Sequence, residues 1–204
     1  MSGDLHGRTF EHLTAPWRSV GQRGPAGGPG PPCEACGVST YVELAGGPSD
    51  DAYRPNIDKR ATPDGKVGVV DIVHDLRNGI PLHDGHAQHL KMIDVFNYFT
   101  QDESRRFLGE CLRALRPGGS LYLRVVDLHF VCQRIVEDGV IQPWLEALYH
   151  SPDTAEGDNG EGVHRWGYSF ESLKEELEAA GFAAVTHHGY YNRMEMKVEA
   201  WKPL

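Results

Sequence analysis

The chain of 204 residues has a formal net charge of -9 and a hydrophobic fraction of 40%, which suits one domain with a buried core. The acidic charge argues against nucleic acid as a partner, because binding to a polyanion needs clustered Lys and Arg. The sequence shows neither an apolar run of the roughly 18–20 residues that span a membrane nor the apolar core of a secretory signal, so we expect a cytoplasmic protein without membrane association.

The first feature along the chain is a Gly- and Pro-rich stretch at residues 21–32, "GQRGPAGGPGPP". This composition can neither bury apolar surface nor hold a helix. We therefore predict a flexible N-terminal segment over residues 1–37, which carries a Cys-x-x-Cys pair, and a folded domain over residues 38–204.

Three strands are predicted next, from β-branched and aromatic runs that end at a glycine or an acid: "STYVELAGG", "YRPNID" and "KVGVVDIVHDL". The segment from Gly47 to Asn56 is too short for a full crossover helix, so we expect a loop or a single helical turn there. A fourth apolar stretch, "HLKMIDVFNYF", is compatible with either a buried strand or the start of a helix.

The second half begins with the clearest helix, residues 102–116, whose apolar side chains recur at helical spacing. "PGG" at residues 117–119 stops this helix before the strand "SLYLRVVDL". Helical sequence with a break near Gly139 follows, and then a polar, glycine-rich loop over residues 151–165.

The chain closes with a helix that is capped by Ser169 and ends at Gly181, followed by two strands that can pair around residues 191–193. Strands alternate with helices, and most connections are too long for tight hairpins. The pattern therefore predicts an α/β fold with a mostly parallel sheet that helices cover on both faces.

The order of these landmarks resembles the class I S-adenosylmethionine-dependent methyltransferases, in particular a small, compact branch of them. The resemblance covers roughly residues 40–203 and rests on "LAGGP", "NID", "VHDL", "LRPGGSLYLRVVDL" and "LEAAGF" in that order. It implies a doubly wound, Rossmann-like sheet with a C-terminal antiparallel hairpin, and S-adenosylmethionine as the cofactor.

The turn after the first strand would then cradle the methionine part of the cofactor, through Leu44, Ala45, Gly46 and Gly47. The family's usual turn is Gly-x-Gly, and Ala45 stands in the place of the first glycine. Because alanine adopts a positive φ only at a cost, we expect either a regular backbone at this step or weaker cofactor binding.

The resemblance also gives roles to acids at the ends of the second and third strands. Asp58 would accept hydrogen bonds from both ribose hydroxyls, while Asp75 would meet the adenine amino group with Leu76 beside the ring. The alternative is that both aspartates only cap turns.

Asp94, at the end of the fourth apolar stretch, is the candidate catalytic residue, as a general base or as a partner for developing positive charge. The alternative role is that of a helix N-cap. Methyl transfer from a sulfonium depends mainly on proximity and orientation, so a strict catalytic residue is not required. Five further residues are candidates for the substrate side, with ordinary packing as the alternative for the last two: Asn97, Tyr98, His164, Trp166 and Tyr168.

Together these features predict an S-adenosylmethionine-dependent methyltransferase that acts on a small molecule or metabolite. The rival hypothesis is a methyltransferase-like domain that serves as a structural or interaction module. A nicotinamide-dependent enzyme fits poorly, because no Gly-x-Gly-x-x-Gly turn opens a helix.

Cys33 and Cys36 have the spacing of a zinc knuckle, but a tetrahedral site needs four ligands, and His6 and His12 are the only histidines nearby in sequence. We therefore assign no metal site, and expect free thiols or a metal shared between subunits, with a structural zinc as the less favoured alternative. His83, His86 and His89 are expected to face solvent from a surface loop.

Overall fold

The computed structural model describes residues 32–46, 55–59, 70–149 and 162–204. Gly47 and the connection to the second strand lie outside the described residues, as do residues 1–31 of the predicted flexible segment and most of the predicted loop at 151–165. Within the described ranges, no helix has both the length and the apolar character of a membrane span.

A seven-stranded sheet with the order β3-β2-β1-β4-β5-β7-β6 organises the fold. The first five strands pair in parallel, and β7 lies antiparallel between β5 and β6. The prediction of a mostly parallel, Rossmann-like sheet with a C-terminal antiparallel hairpin is therefore confirmed. The strands are β1 Tyr41–Leu44, β2 Asn56–Asp58, β3 Ile72–Val73, β4 Ala87–Ile93, β5 Leu115–Val126, β6 Ala183–Tyr190 and β7 Glu195–Trp201.

Within the described residues, four α-helices and two short 3-10 helices connect the strands. The first α-helix starts with a capping box, in which Thr100 and Glu103 satisfy each other's backbone N–H groups. The last one starts at the predicted cap Ser169 and ends at Gly181, whose φ of 109° is the left-handed conformation that glycine favours. The α-helices are α1 Gln101–Ala114, α2 Leu128–Asp138, α3 Gln142–Tyr149 and α4 Phe170–Ala180, and the 3-10 helices are Leu76–Asn78 and Phe96–Tyr98.

The core lies where β1, β4 and β5, the central parallel strands, meet α1 and α4. The ambiguous fourth stretch is the buried strand β4, and the helical turn follows only after Asp94 and Val95. Successive residues of β4 are buried, as expected for a central parallel strand that is covered on both faces.

The "LRPGG" turn differs in detail from its prediction. Helix α1 ends at Ala114, and Leu115 already pairs with Ala87 as part of β5. Gly118 has a φ of 73°, and a Cβ on Gly119 would lie 2.9 Å from the carbonyl oxygen of Gln88. Both glycines are therefore required, the first by its backbone conformation and the second by close packing.

Candidate active site

The carboxyl edge of the sheet contains the point where strand order reverses. Strand β1 pairs with β2 on one side and with β4 on the other, all in parallel. In open α/β sheets, ligands bind outside the carboxyl ends of the strands at such a switch point. The candidate site is therefore built from the residues that follow β1, β2, β3 and β4.

Two non-glycine residues with left-handed backbones lie at this switch point. Ala45 follows β1 with a φ of 54°, and Asp94 follows the neighbouring β4 with a φ of 56°. The Ala45 N–H donates to the carbonyl of Ile57 (2.6 Å), and the Asp94 N–H donates to the carbonyl of Arg124 (3.0 Å). Such strained conformations cluster at functional sites. Of the two alternatives expected at Ala45, a regular backbone is wrong, since its φ is positive, and weaker cofactor binding stays a prediction.

A buried ion pair beneath the β1 turn was not found from the sequence. Glu43 and Lys91 are directly opposite each other in β1 and β4, and the Lys91 Nζ lies 3.2 Å from the Glu43 Oε1. Both side chains are less than a tenth exposed. Gly46 folds back over this pair, so a Cβ there would lie 2.4 Å from the Glu43 Cδ. The only signal for it in the sequence is a charged residue inside each of two apolar strands.

Asp58 ends β2 and is buried, with a relative exposure of 8%. The backbone after β3 reaches it directly, because the His74 N–H donates to the Asp58 carbonyl (2.8 Å). The segments that follow β1 and β3 are thus hydrogen-bonded to the end of β2, on either side of Asp58.

Asp75 caps the 3-10 helix Leu76–Asn78, and its role toward the adenine amino group stays a prediction. Its carboxylate accepts from the Arg77 backbone N–H (3.0 Å) and from the Arg77 Nε (3.1 Å). These hydrogen bonds help to hold the pKa of Asp75 below its ordinary value, against the opposing effect of burial. About a third of the side chain stays exposed, and a carboxylate has four lone pairs, so capacity to accept a further hydrogen bond remains. Leu76 is buried in the core.

The Asp94 carboxylate forms a two-point contact with the Arg124 guanidinium on the adjacent strand β5. Arg124 also contacts Glu195 (Nε to Oε2, 3.0 Å) and lies 4.0 Å from the centre of the Tyr191 ring. Burial raises the pKa of Glu195. Asp94 does not cap the helical turn that follows, since Val95 holds the cap position without a side-chain bond. The alternative role as an N-cap is therefore wrong.

The five candidates for the substrate side divide into an outer and an inner group. The Tyr98 and His164 rings meet edge-on with centroids 5.1 Å apart, and Trp166 is 41% exposed. Asn97 is buried and donates to the Trp166 carbonyl (3.1 Å), while Tyr168 is fully buried and stacks on Phe96. Asn97 and Tyr168 thus have the placement of packing residues, and Trp166, Tyr98 and His164 lie nearer the surface.

Comparison with known proteins agrees with this geometry. Residues 35–123 match the sequence model of a methyltransferase domain. The resemblance to the class I S-adenosylmethionine-dependent methyltransferases is confirmed. The matched residues include β1, β2, β3, β4 and the first part of β5, which are the strands that form the candidate site. A search of curated proteins finds no match.

Solved structures show the same methyltransferase fold at low sequence identity. The protein solved in complex with the Trm112 methyltransferase activator of Haloferax volcanii is 16% identical, with a TM-score of 0.53 over 80% of this chain and 82% of that one. A methyltransferase of Thermotoga maritima is 16% identical, with a TM-score of 0.52 over 79% and 81% of the two chains. One from Methanosarcina mazei is 19% identical, with a TM-score of 0.51 over 80% and 92%.

The methyltransferase-like sheet carries a second group of reactive side chains at its opposite edge. Cys33, Cys36, His83 and His86 bring one ligand atom each within 4.8 Å of one another. Neither cysteine forms a disulfide. The expectation that all three loop histidines face solvent is wrong for His86 and His89, which are 1% and 5% exposed. Two pairs with the same spacing, Cys-x-x-Cys and His-x-x-His, were the signal available in the sequence.

Proposed function

We propose that this protein transfers a methyl group from S-adenosylmethionine to a small-molecule acceptor. The observation that carries the proposal is the pair of left-handed residues Ala45 and Asp94, which follow neighbouring parallel strands at the switch point of a methyltransferase-type sheet. Backbone strain of this kind persists where the surrounding structure holds it in place for function.

In the proposed complex, the β1 turn of Leu44, Ala45, Gly46 and Gly47 lies against the methionine part of the cofactor. Asp58 accepts hydrogen bonds from the ribose hydroxyls, for which its carboxylate has the right chemistry. Asp75, about a third of whose side chain is exposed, accepts a hydrogen bond from the adenine amino group while it caps its helix.

Asp94 then acts as an orienting group and not as a general base. The Arg124 guanidinium holds the Asp94 carboxylate at two points, and this carboxylate can still accept a hydrogen bond because the Asp94 side chain is 43% exposed. The substrate nucleophile would donate to it and be aligned for in-line displacement at the sulfonium methyl, where orientation supplies much of the rate.

Charge supports a neutral or cationic small acceptor over a polyanion. The chain has a net charge of -9, and Asp58, Asp75 and Asp94 lie at or just after the carboxyl ends of strands at the proposed cleft. A nucleic-acid backbone would meet carboxylates there, where its recognition requires Lys and Arg. Tyr98, His164 and the exposed Trp166 supply aromatic surface for such a small molecule.

A second candidate function, a non-catalytic methyltransferase-like module, is favoured by one specific observation. The carboxylates of Asp75 and Asp94 are each engaged by an arginine, Arg77 and Arg124, within the protein itself. A domain that had lost its cofactor could retain these acids as structural pairs.

Calorimetric titration with S-adenosylmethionine and S-adenosylhomocysteine separates the two functions. We expect saturable binding of both, lost in Asp58→Ala and kept in Asp102→Ala, which removes an exposed carboxylate from the start of α1. Binding followed by S-adenosylhomocysteine release in a screen of small-molecule amines and hydroxyl compounds would support methyl transfer. No heat at millimolar ligand from a folded chain would favour the module.

A further inference from the structure

We propose that Cys33, Cys36, His83 and His86 bind one structural zinc ion at the amino edge of the sheet. The four residues supply two thiolates and two imidazoles, which is a ligand set typical of tetrahedral structural zinc sites. The proposal is independent of the methyl-transfer activity, because it concerns the opposite edge of the sheet.

Three of the distances between the ligand atoms match a zinc tetrahedron, and all four atoms lie within 4.8 Å of one another. Zinc–sulfur bonds of about 2.3 Å and zinc–nitrogen bonds of about 2.0–2.1 Å place tetrahedral S and N atoms about 3.5 Å apart and two N atoms about 3.3 Å apart. The Cys33 Sγ lies 3.2 Å from the His83 Nε2, and the Cys36 Sγ lies 3.5 Å from the His86 Nδ1. The two imidazole nitrogens are 3.3 Å apart. One ion placed among them can therefore take all four atoms as ligands once the remaining pairs, which lie within 4.8 Å, close to tetrahedral distances.

Both imidazoles are oriented by backbone carbonyls in the way that metal ligands usually are. The His83 Nδ1 lies 2.9 Å from the carbonyl of Asp84, and the His86 Nε2 lies 2.9 Å from the carbonyl of Ser39. Because a carbonyl only accepts, each of these nitrogens must carry the proton. The remaining nitrogen of each ring then has a free lone pair, and in both rings it is the nitrogen that faces the cluster.

A tight turn holds the two sulfurs on the same side of the chain. The Cys33 N–H donates to the Val38 carbonyl (2.7 Å), and the Gly37 N–H donates to the Cys33 carbonyl (2.8 Å). Gly37 has a φ of 73°, which a residue with a side chain would adopt only at a cost. The turn is mostly exposed and includes no fully buried apolar residue, so packing alone gives it little stability. A bound metal ion would give this turn the stability that it does not obtain from packing.

The position of the site indicates a structural role. Its cysteines precede β1 and its histidines precede β4, which are adjacent parallel strands, so the ion would join segments 50 residues apart where they enter the sheet. Four protein ligands leave no open coordination position for a substrate. The candidate methyl-transfer residues follow the same strands at their other ends.

The test uses the full chain without an affinity tag, purified without added metal. We expect one zinc per chain by elemental analysis. Replacement with cobalt(II) should give the visible bands of a tetrahedral site together with sulfur-to-metal charge transfer. Free zinc at one hundred times its Kd should raise the Tm by roughly 5–10 °C over that of the chelator-treated chain.

Two variants and two controls locate the ligands. Cys36→Ser and His83→Ala should lose the zinc, and Cys132→Ser and His129→Asn, which change an exposed cysteine and a histidine on α2, should keep it. If a ligand variant does not fold, the cobalt spectrum of the unaltered chain still decides the matter. Less than stoichiometric zinc together with a cobalt spectrum that lacks thiolate charge transfer, or a Cys33–Cys36 disulfide in the purified chain, would overturn the proposal.

Discussion

Gly46→Ala tests whether the β1 turn depends on its close approach to the buried Glu43 side chain. A Cβ at position 46 would lie 2.4 Å from the Glu43 Cδ and 2.6 Å from its Cγ. These are far inside van der Waals contact, so Glu43 must move. Moving it disturbs the ion pair with Lys91, and both side chains of that pair are almost fully buried. Overpacking of this kind costs about 1–3 kcal/mol, and loss of a buried pair adds to it, so we expect a destabilisation of about 3 kcal/mol.

The assay is urea unfolding followed by circular dichroism, with titration of S-adenosylmethionine on the same samples. Gly109→Ala is the matched control, because that glycine lies in α1 with no neighbouring atom within 4 Å of an added Cβ. In a helix, Gly→Ala raises the free energy of unfolding by about 1 kcal/mol. Gly109→Ala should therefore stabilise the protein, whereas Gly46→Ala should destabilise it.

A double-mutant cycle isolates the cause. In a Glu43→Ala background the Cβ at position 46 has room, so Gly46→Ala should cost less than about 1 kcal/mol there. An equal cost in both backgrounds would refute the argument that Glu43 is what excludes a side chain from this turn.

Three further perturbations address other parts of the structure. Arg124→Met leaves the carboxylates of Asp94 and Glu195 without their shared cation, so the free energy of unfolding, measured in urea, should fall by about 3 kcal/mol. An unchanged value would contradict a structural role for these two ion pairs of Arg124. Burial lowers the pKa of His89 from 6.5 to about 4, so the unfolded chain binds a proton at a higher pH than the folded chain does. The free energy of unfolding should therefore decrease by up to about 3 kcal/mol as the pH falls from about 6.5 to 4. The His89→Gln variant, unfolded in the same buffers, should not show this pH-dependent decrease. Ala184→Gly should raise the unfolding free energy by about 0.8 kcal/mol, because this exposed alanine has a φ of 51°; a loss of stability would show that its backbone is not strained.

The elements that could be predicted from the sequence are those with local physical signals. Both ends of helix α4 have a local sequence signal, since Ser169 caps its N-terminus and Gly181 adopts the left-handed conformation at its C-terminus. The C-terminal hairpin likewise joins two strands that are adjacent in sequence. The parallel strand order could be inferred only through the resemblance, because β1 and β4 pair across 40 or more residues and no local pattern encodes that register.

The site was harder to predict for the same reason. Asp58 and Asp75 could be selected because they end predicted strands. The sequence could not show that Arg77 binds Asp75 or that Arg124 binds Asp94. His83 and His86 lie 50 residues from the cysteines that they approach, and only the pairing of β1 with β4 brings them together. Among neighbours in sequence, the cysteines have only His6 and His12, and on that basis no metal site was assigned.

The pairing of β1 with β4 connects all of these features. At its carboxyl end lie the two strained residues Ala45 and Asp94, and within it lies the buried Glu43–Lys91 pair. At its amino end lies the proposed zinc site. Left-handed backbone at non-glycine residues costs about 1–3 kcal/mol each, and it persists only where the surroundings over-determine it. Because β1 has only four residues, its own hydrogen bonds to β4 are few, and the ion pair and the metal would supply the remaining constraints. A strand this short can hold a strained cofactor turn in place if it is fixed along its length and at its far end.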